Sequence, residues 1–419
     1  NRFEVVNSQL KLKDGESLDF ETQSSINLEI TATDDGNPNQ SFTKSFAIAV
    51  TNVNNTKQLT KVNSSLDIFN ISGETGKPKL QVTLNNANSD GVNELGVFAV
   101  DDSQGSIDGI LPGESGYASS ALERSKVVFS ALTDSPRGFD AQTKTRLLEF
   151  PDNTNVRFYL IDNSTTDAVL SGNTSTNRVI FSDTTTLKVE TQGESEFSLS
   201  WNDANGSSSF NDLVVNIQPT LEELPLGTNL QNLSQAELID LTGLSQAVVT
   251  ANFSVFREAE FNNEVYFYKV DESGKVDGFV PNTSTYQQAA LDNLVKDAVT
   301  GEVVKFSAAN QGVETSIAQI ETGSIIAPLI IVNGSLDELT DGDTSNNPEI
   351  YFPYLGANAD GVDHISLLAD NTFGFEDLPN GGDYDYNDLI VKIDFSAYQS
   401  ADCTTANLAL QKKQGYFVA

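Results

Sequence analysis

The chain carries one sequence pattern twice. The matched segments are ELGVFAVDDSQGSIDG (94–109) with EVYFYKVDESGKVDG (264–278), and LSWNDANGSSSFNDLVVNI (199–217) with FGFEDLPNGGDYDYNDLIVKIDF (373–395). Because these segments recur in the same order and at similar spacing, the sequence predicts two copies of one structural unit. We place the copies at 57–218 and 235–396, with a linker at 219–234 and a C-terminal tail at 397–419.

Both copies consist mainly of short segments in which apolar and polar residues alternate, separated by turns rich in Gly, Asn and Asp. Alternation with period two is typical of strands that bury one face, and these turn residues favour chain reversal. The sequence therefore predicts a mainly all-β fold of β-sandwich or jelly-roll-like modules in tandem, with a few short helices. One helix is expected at 286–299, where apolar residues follow helical spacing.

The segment that closes the second copy holds an unusual density of acidic residues: Glu376, Asp377, Asp383, Asp385, Asp388 and Asp394. Carboxylates this close repel one another unless a positive charge lies among them. Asp383, Asp385 and Asn387 alternate, with Asp388 beside them, and offer the hard oxygen ligands that Ca²⁺ prefers. The order resembles the start of an EF-hand loop but lacks its glycine. We therefore predict a Ca²⁺ loop on a β framework, with a solvated acidic turn as the alternative.

The closing segment of the first copy has fewer carboxylates. Asp203 and Asp212 match Asp377 and Asp388, whereas serines stand where the second copy has Asp383 and Asp385. Because ligand charge controls Ca²⁺ affinity, we expect a strong site in the second copy and a weak or empty one in the first.

Another acidic turn recurs in both copies. It contains Asp101 and Asp108 in the first copy, and Asp271 and Asp277 in the second. These carboxylates could hold a second cation. The alternative is an ordinary β-turn, for which Asp and Gly are common residues.

The first 56 residues resemble the second half of a cadherin-type repeat, through LDFE (18–21), ATDDGNP (32–38) and VTNVNN (50–55). The resemblance implies a partial β-sandwich at 1–56 and Ca²⁺ ligation by Asp19 and Glu21. The linker motif departs from the family, because asparagines replace its aspartates. A partial sandwich would also leave strand edges unpaired, and such edges attract another strand.

The second copy resembles the bacterial family called "domain of unknown function 4114". The matching segments are VDESGKVDG (270–278), FPYLGANADGVDHISLL (352–368) and NTFGFEDLPNGGDYDYNDLIV (371–391). The family occurs at the C-terminal ends of large extracellular proteins. The resemblance therefore implies a calcium-associated surface module, and it implies no enzymatic activity.

Composition disfavours several functional classes. The chain has 24 Lys and Arg against 59 Asp and Glu, a formal net charge of −35, which opposes binding to nucleic acid. His364 is the only histidine and no Gly-x-Ser-x-Gly sequence occurs, so we expect no enzyme.

Cys403 is the only cysteine, and no apolar run is long enough to span a membrane. Methionine is absent even at position 1, so we expect a processed piece of a longer secreted protein.

From these observations we expect a calcium-binding, extracellular, structural or adhesive protein of a bacterial cell surface. Strand addition between the tail and the partial sandwich of a neighbouring chain would give a head-to-tail filament or surface layer. The alternative is a calcium-dependent, lectin-like adhesin that binds cell-surface glycans, with Tyr384 and Tyr386 facing outward. A polysaccharide-acting enzyme is the least favoured hypothesis.

Overall fold

Strands dominate the computed structural model, which describes residues 2–6, 9–13, 25–49, 58–73, 77–88, 93–131, 135–140, 144–202, 210–233 and 237–397. Strands hold 47% of the residues and helices 10%, so the prediction of a mainly all-β, sandwich-like fold with few short helices is confirmed. The described residues fall into two compact units, one before residue 57 and one within Lys57–Tyr398.

The N-terminal unit contains two hairpins. Their strands are β1 (Phe3–Val6), β2 (Gln9–Leu12), β3 (Ser25–Thr33) and β4 (Ser41–Ala49). Leu28 on β3 pairs with Phe46 on β4 and is the one buried apolar side chain among the described residues of this unit. Phe42 is 70% exposed. Because isolated two-stranded hairpins are marginally stable, little within these residues holds the unit together.

The first sandwich is formed by residues 58–220. Its strands are β5 (Gln58–Asn63), β6 (Ile68–Ser72), β7 (Lys79–Ala87), β8 (Asn93–Val100), β9 (Ser125–Ala131), β10 (Thr145–Glu149), β11 (Thr154–Asp162), β12 (Val179–Phe181), β13 (Leu187–Gly193), β14 (Glu196–Trp201) and β15 (Leu213–Thr220), and its helices are α1 (Tyr117–Glu123) and α2 (Thr166–Leu170). One sheet has the order β10-β7-β15-β14-β13; the other has β5-β6-β11-β8-β9, with β12 beside β11. Apolar side chains from both sheets, including Trp201, fill the space between them.

The second sandwich follows the segment 221–237, in which Asn229–Asn232 forms a 3-10 turn. Its strands are β16 (Ile239–Asp240), β17 (Val248–Arg257), β18 (Glu264–Val270), β19 (Lys305–Phe306), β20 (Val313–Glu321), β21 (Ile325–Ile331), β22 (Ile350–Tyr351), β23 (Ile365–Ala369), β24 (Thr372–Phe375) and β25 (Leu389–Ala397), and its helices are α3 (Tyr286–Asp292) and α4 (Leu336–Thr340). The sheet orders are β20-β17-β25-β24-β23 and β16-β21-β18-β19, with β22 beside β21.

The two sandwiches have matching strand orders. The sheet β10-β7-β15-β14-β13 corresponds strand by strand to β20-β17-β25-β24-β23. A local detail also matches: the Tyr117 hydroxyl donates to Gly105 O at 2.8 Å, and the Tyr286 hydroxyl donates to Gly274 O at 2.9 Å. In both sandwiches a helix therefore fixes the acidic turn through the first residue of the helix.

Buried polar side chains join the two sandwiches. Arg146 on β10 is fully buried and pairs with Asp370 in the β23–β24 turn at 3.2 Å. Leu147 N donates to the same carboxylate at 3.2 Å, and the hydroxyls of Ser130 and Ser366 lie 2.5 Å apart. These contacts explain why residues from Lys57 to Tyr398 form one compact unit.

A second group of carboxyls is buried where the sandwiches meet. Glu94 on β8 accepts a hydrogen bond from Thr166 N at 2.7 Å, and burial raises its pKa to about 7. Burial also raises the pKa of Asp363, and the pKa values of Asp167 and Glu237 are raised by burial and by neighbouring carboxylates. Protonation of this group is therefore linked to the packing of the two sandwiches.

The helix expected at 286–299 is shorter than predicted, because α3 ends at Asp292. Val295 is instead extended, with its N–H donating to Phe267 O at 2.7 Å, and Val304 N returns a bond to Val295 O at 2.9 Å. Asp297 then starts a turn by accepting from Val299 N and Thr300 N. Strand-like pairing and an Asx turn thus override the helical spacing. Among the described residues, no helix has the length and apolar character needed to cross a membrane.

Candidate metal centre

The acidic loop (residues 376–388) connects β24 to β25 in the second sandwich. Tyr384 and Tyr386 have φ values of 58° and 51°, in the left-handed region that side chains other than glycine rarely adopt. Gly382 has no room for a side chain, since a Cβ there would lie 2.8 Å from Glu376 Oε2. The loop backbone therefore wraps closely around the Glu376 carboxylate.

Three carboxylates converge inside this loop. Glu376, Asp383 and Asp385 each contribute one oxygen, and these oxygens all lie within 4.8 Å of one another. Glu376 is buried, Asp385 is half-buried and Asp383 is exposed. This carboxylate trio thus runs from the protein interior to solvent, which gives a cation a route of entry.

Glu376 is the most constrained member of the carboxylate trio. Its Oε1 accepts from Tyr386 N at 2.7 Å, whereas its Oε2 is buried and has no hydrogen-bond partner among the described residues. The pKa of Glu376 is raised to about 9, mainly by burial and also by the charges of Asp388, Asp385 and Asp383. A buried carboxylate with an unsatisfied oxygen is costly unless a proton or a cation compensates it.

Asn387 supports the carboxylate trio. Its Nδ2 donates to Asp385 Oδ2 at 2.6 Å, and its backbone N–H donates to Asp385 Oδ1 at 3.3 Å. The amide nitrogen therefore fixes the orientation of the Asp385 carboxylate. The sequence predicted Asn387 as a direct ligand; in the structure its side-chain nitrogen faces Asp385.

Asp377 and Asp388 form a separate pair beside the carboxylate trio. Asp388 Oδ2 accepts from Asp377 N at 2.8 Å, and Asp377 Oδ2 accepts from Asn263 Nδ2 at 2.7 Å. Burial raises the pKa of Asp388, and the charge of Asp377 raises it further. The structure thus divides the predicted ligands between the trio and this more buried pair.

His364 anchors the loop from behind. It is fully buried, and its ring stacks on Tyr351 with centroids 3.5 Å apart. Its Nδ1 lies 3.1 Å from Glu376 O, and its Nε2 lies 3.0 Å from Asp360 Oδ2. The same Asp360 oxygen accepts from Asn380 N at 2.8 Å. The sequence around His364 gives no signal for this role, because its partners Glu376 and Asp360 lie in two different loops.

The acidic turn of the first sandwich already contains a cation. Arg124 follows α1 and reaches Asp101 at 2.5 Å and Asp108 at 2.6 Å. The hydrogen bond from Arg124 is the main reason that the pKa of Asp101 is lowered. The guanidinium therefore occupies the position that the sequence offered to a metal ion.

In the corresponding turn of the second sandwich, Asn293 replaces the arginine. Its Nδ2 donates to Asp277 Oδ2 at 2.7 Å. Asp271 Oδ1 accepts from Ser273 N at 2.8 Å and from Lys275 N at 2.9 Å. These contacts are those of an Asx turn, so the local backbone uses much of the acceptor capacity of Asp271.

Several predicted ligands cannot be placed in a site. Asp19, Glu21 and Asp203 lie outside the described residues. Asp212 is described and buried, with 7% of its surface exposed. The position that matches Glu376 is Asn202, a neutral residue, so the first sandwich lacks the charge that closes the carboxylate trio.

The prediction that Tyr386 faces outward is wrong. Its side chain is 2% exposed, and its hydroxyl donates to Asp363 O at 3.3 Å. Two-residue alternation failed as a guide because the left-handed backbone of the loop reverses the direction of side chains. Tyr384 is half-buried and lies against Gly381, where a Cβ would be 2.3 Å from its ring.

Comparison with known families matches residues 320–396 to the model described as "Domain of unknown function (DUF4114)". The match contains the acidic loop, β23, β24 and β25. No curated protein and no solved structure gives a significant match to the chain.

Proposed function

We propose that this chain is a calcium-stabilised structural or adhesive protein of the bacterial cell exterior, and that the carboxylate trio binds the ion. The observation that carries the proposal is Glu376 Oε2, a buried and unsatisfied carboxylate oxygen that lies with oxygens of Asp383 and Asp385 within 4.8 Å. The three side chains offer only oxygen ligands. Ca²⁺ accepts 6–8 oxygens in variable geometry, and water can reach the Asp383 side.

The chemistry of the trio favours calcium over other metals. Zinc sites are built largely from Cys and His ligands, which the trio lacks. Mg²⁺ usually binds one or two carboxylates and keeps several waters, whereas Ca²⁺ tolerates three carboxylates and an irregular cage. The loop is also preformed by its support from His364 and Asn387, which reduces the ordering cost of binding.

A structural role is supported by where the trio lies. Glu376 follows β24 and Asp388 precedes β25, and these two strands pair directly. An ion in the trio would therefore tie a strand connection that carries many like charges. We further propose that the two sandwiches are copies of one unit and that the first copy keeps the fold without a full set of ligands.

Binding of Ca²⁺ should depend on the carboxylate trio and not on general acidity. In isothermal titration calorimetry at constant ionic strength, we expect Asp383→Asn/Asp385→Asn to weaken Ca²⁺ binding at least tenfold, or about 1.4 kcal/mol. The physical reason is the loss of two anionic ligands.

The matched control for this titration is Asp341→Asn/Asp343→Asn. These two carboxylates are exposed near α4, accept hydrogen bonds from neighbouring backbone N–H groups, and are not part of the trio. The control removes the same charge, so it should bind Ca²⁺ like the wild type. Equal weakening in both double variants, or no saturable binding by the wild type, would reject the site.

A further inference from the structure

The strand β20 presents an open edge in the second sandwich. It is the last strand of its sheet and pairs only with β17. Towards its end the edge is covered, because Ala298 N donates to Gln319 O at 2.7 Å and Asp297 accepts from Gln319 N. Residues 313–317 are all exposed, and no hydrogen bond to the free side of this stretch occurs in the part of the chain that the structure describes.

This edge carries only one of the features that normally prevent strand pairing: Glu314 lies on the same face of β20 as the buried Ala318 and Ile320. Natural edge strands carry lysines, prolines, bulges or inward-pointing charges. The edge strand β13 of the first sandwich follows this rule, with Lys188, Glu190 and a register shift after Thr191. The stretch 313–317 reads VETSI, and its pairing with β17 is regular.

The corresponding edge of the first sandwich is already used for packing. There β10 is the last strand of the matching sheet, and its central residues are buried. Leu147 N on this strand donates to Asp370 in the second sandwich. The same position in the fold is thus a covered contact surface in one sandwich and an open one in the other.

We infer that β20 pairs with β20 of a second copy of this chain, antiparallel and across a two-fold axis. The open stretch consists of residues 313–317. If the whole stretch pairs with the same stretch of the second copy, Thr315 lies opposite Thr315 of that copy. Val313 then lies opposite Ile317 twice. These side chains are 44% and 67% exposed in the single chain, and both point to the same sheet face.

The same register avoids a clash of charges. Glu314 lies opposite Ser316 of the partner copy, so the two carboxylates do not face each other. Apolar cross-strand pairs contribute roughly 0.2–1 kcal/mol each, and the surface is small for a stable complex. The dimer is therefore weak, and the charge of −35 on each chain makes it weaker at low salt.

Cysteine cross-linking tests the register directly. In a Cys403→Ser background, Thr315→Cys should form an intermolecular disulfide under mild oxidation, because antiparallel neighbours have Cα atoms ~4.5–5.5 Å apart, within disulfide reach. Thr191→Cys, an exposed threonine on the protected edge β13, should remain largely monomeric. Equal cross-linking of both variants overturns the proposal.

Sedimentation of the full chain at 0.3 M salt is a second test of the β20–β20 dimer. We expect a concentration-dependent dimer that Thr315→Glu weakens at least tenfold, since it places two carboxylates opposite each other at the axis. The control Thr191→Glu adds the same charge and should leave the dimer intact. A wild-type monomer at all concentrations, or association that Thr315→Glu leaves unchanged, overturns the inference; the latter result would indicate assembly through other segments.

Discussion

Removing calcium should lower the melting temperature of this protein by about 5 °C. The estimate follows from a Kd of ~10⁻⁴ M, typical of extracellular calcium modules, and roughly 10 mM calcium. Binding at about 100 times Kd stabilises the folded state by about 2.7 kcal/mol, a large share of the ~5–15 kcal/mol that keeps a typical domain folded. Thermal melts in calcium and in excess EGTA measure the difference.

The variant Glu376→Gln should abolish this calcium-dependent shift while leaving the calcium-free protein folded. Glutamine keeps the shape of the side chain, and its carbonyl oxygen can still accept from Tyr386 N. It removes the charge at the oxygen that the protein leaves unsatisfied. The calcium-free melting temperature at neutral pH should therefore stay the same or rise, because burial keeps Glu376 protonated in the folded protein whereas the unfolded glutamate is ionised, and glutamine removes that cost.

Asp341→Asn is the control for this melt, since it removes an exposed carboxylate outside the carboxylate trio. It should keep the full calcium-dependent shift. If Glu376→Gln keeps the full calcium-dependent shift in melting temperature, Glu376 is not a ligand. If the wild type shows no such shift, the acidic loop is a solvated turn without a bound ion.

The parts of the fold that depend on neighbouring residues could be predicted from the sequence. Alternation and turn residues predicted the mainly β fold, and the segments that recur in the sequence lie in two sandwiches with matching strand orders. Asp383 and Asp385 could be recognised as a pair because two members of the carboxylate trio lie two residues apart. Local patterns of this kind are set by the backbone period of a strand.

The parts that depend on distant contacts could not be predicted. Glu376 enters the trio because Phe375 forms a bridge with Asn387, which brings the two ends of the loop together. Arg124 neutralises the first acidic turn only because α1 folds back onto that turn. The pairing of Arg146 with Asp370 joins residues from different sandwiches. Spacing in the sequence carries no signal for such pairs.

The stability of the calcium-free protein should fall as the pH rises from 5 to 7. Glu94 has a folded pKa of about 7 because it is buried, whereas an unfolded glutamate titrates near pH ~4.3. The folded state therefore holds a proton that the unfolded state has released. The stabilisation is complete below the unfolded pKa and is lost as the pH rises through 7. For Glu94 alone the loss between pH 5 and 7 is about 2 kcal/mol.

Other titratable groups also contribute to the pH dependence of stability. The pKa values of Asp363, Asp167 and Glu237 are also raised by burial, so they add to the loss. Lys144 has a pKa lowered to about 7 by burial, and its effect on stability runs in the opposite direction mainly above pH 7. Many exposed aspartates have lowered pKa values, and their effects fall below pH 4. The window from pH 5 to 7 therefore reports on buried carboxyls: those between the sandwiches and, in the calcium-free protein, Glu376 and Asp388 of the acidic loop, whose pKa values are also raised by burial.

Glu94→Gln isolates the contribution of Glu94 to this slope. Its amide oxygen can still accept from Thr166 N, but the group no longer titrates, so urea unfolding in EGTA at pH 5, 6 and 7 should give a flatter profile. Glu190→Gln removes an exposed carboxylate on β13 and should keep the wild-type slope. If both variants keep that slope, Glu94 is ionised in the folded protein and the sandwiches pack around a negative charge. If Glu94→Gln alone flattens it, proton uptake stabilises the contact between the sandwiches.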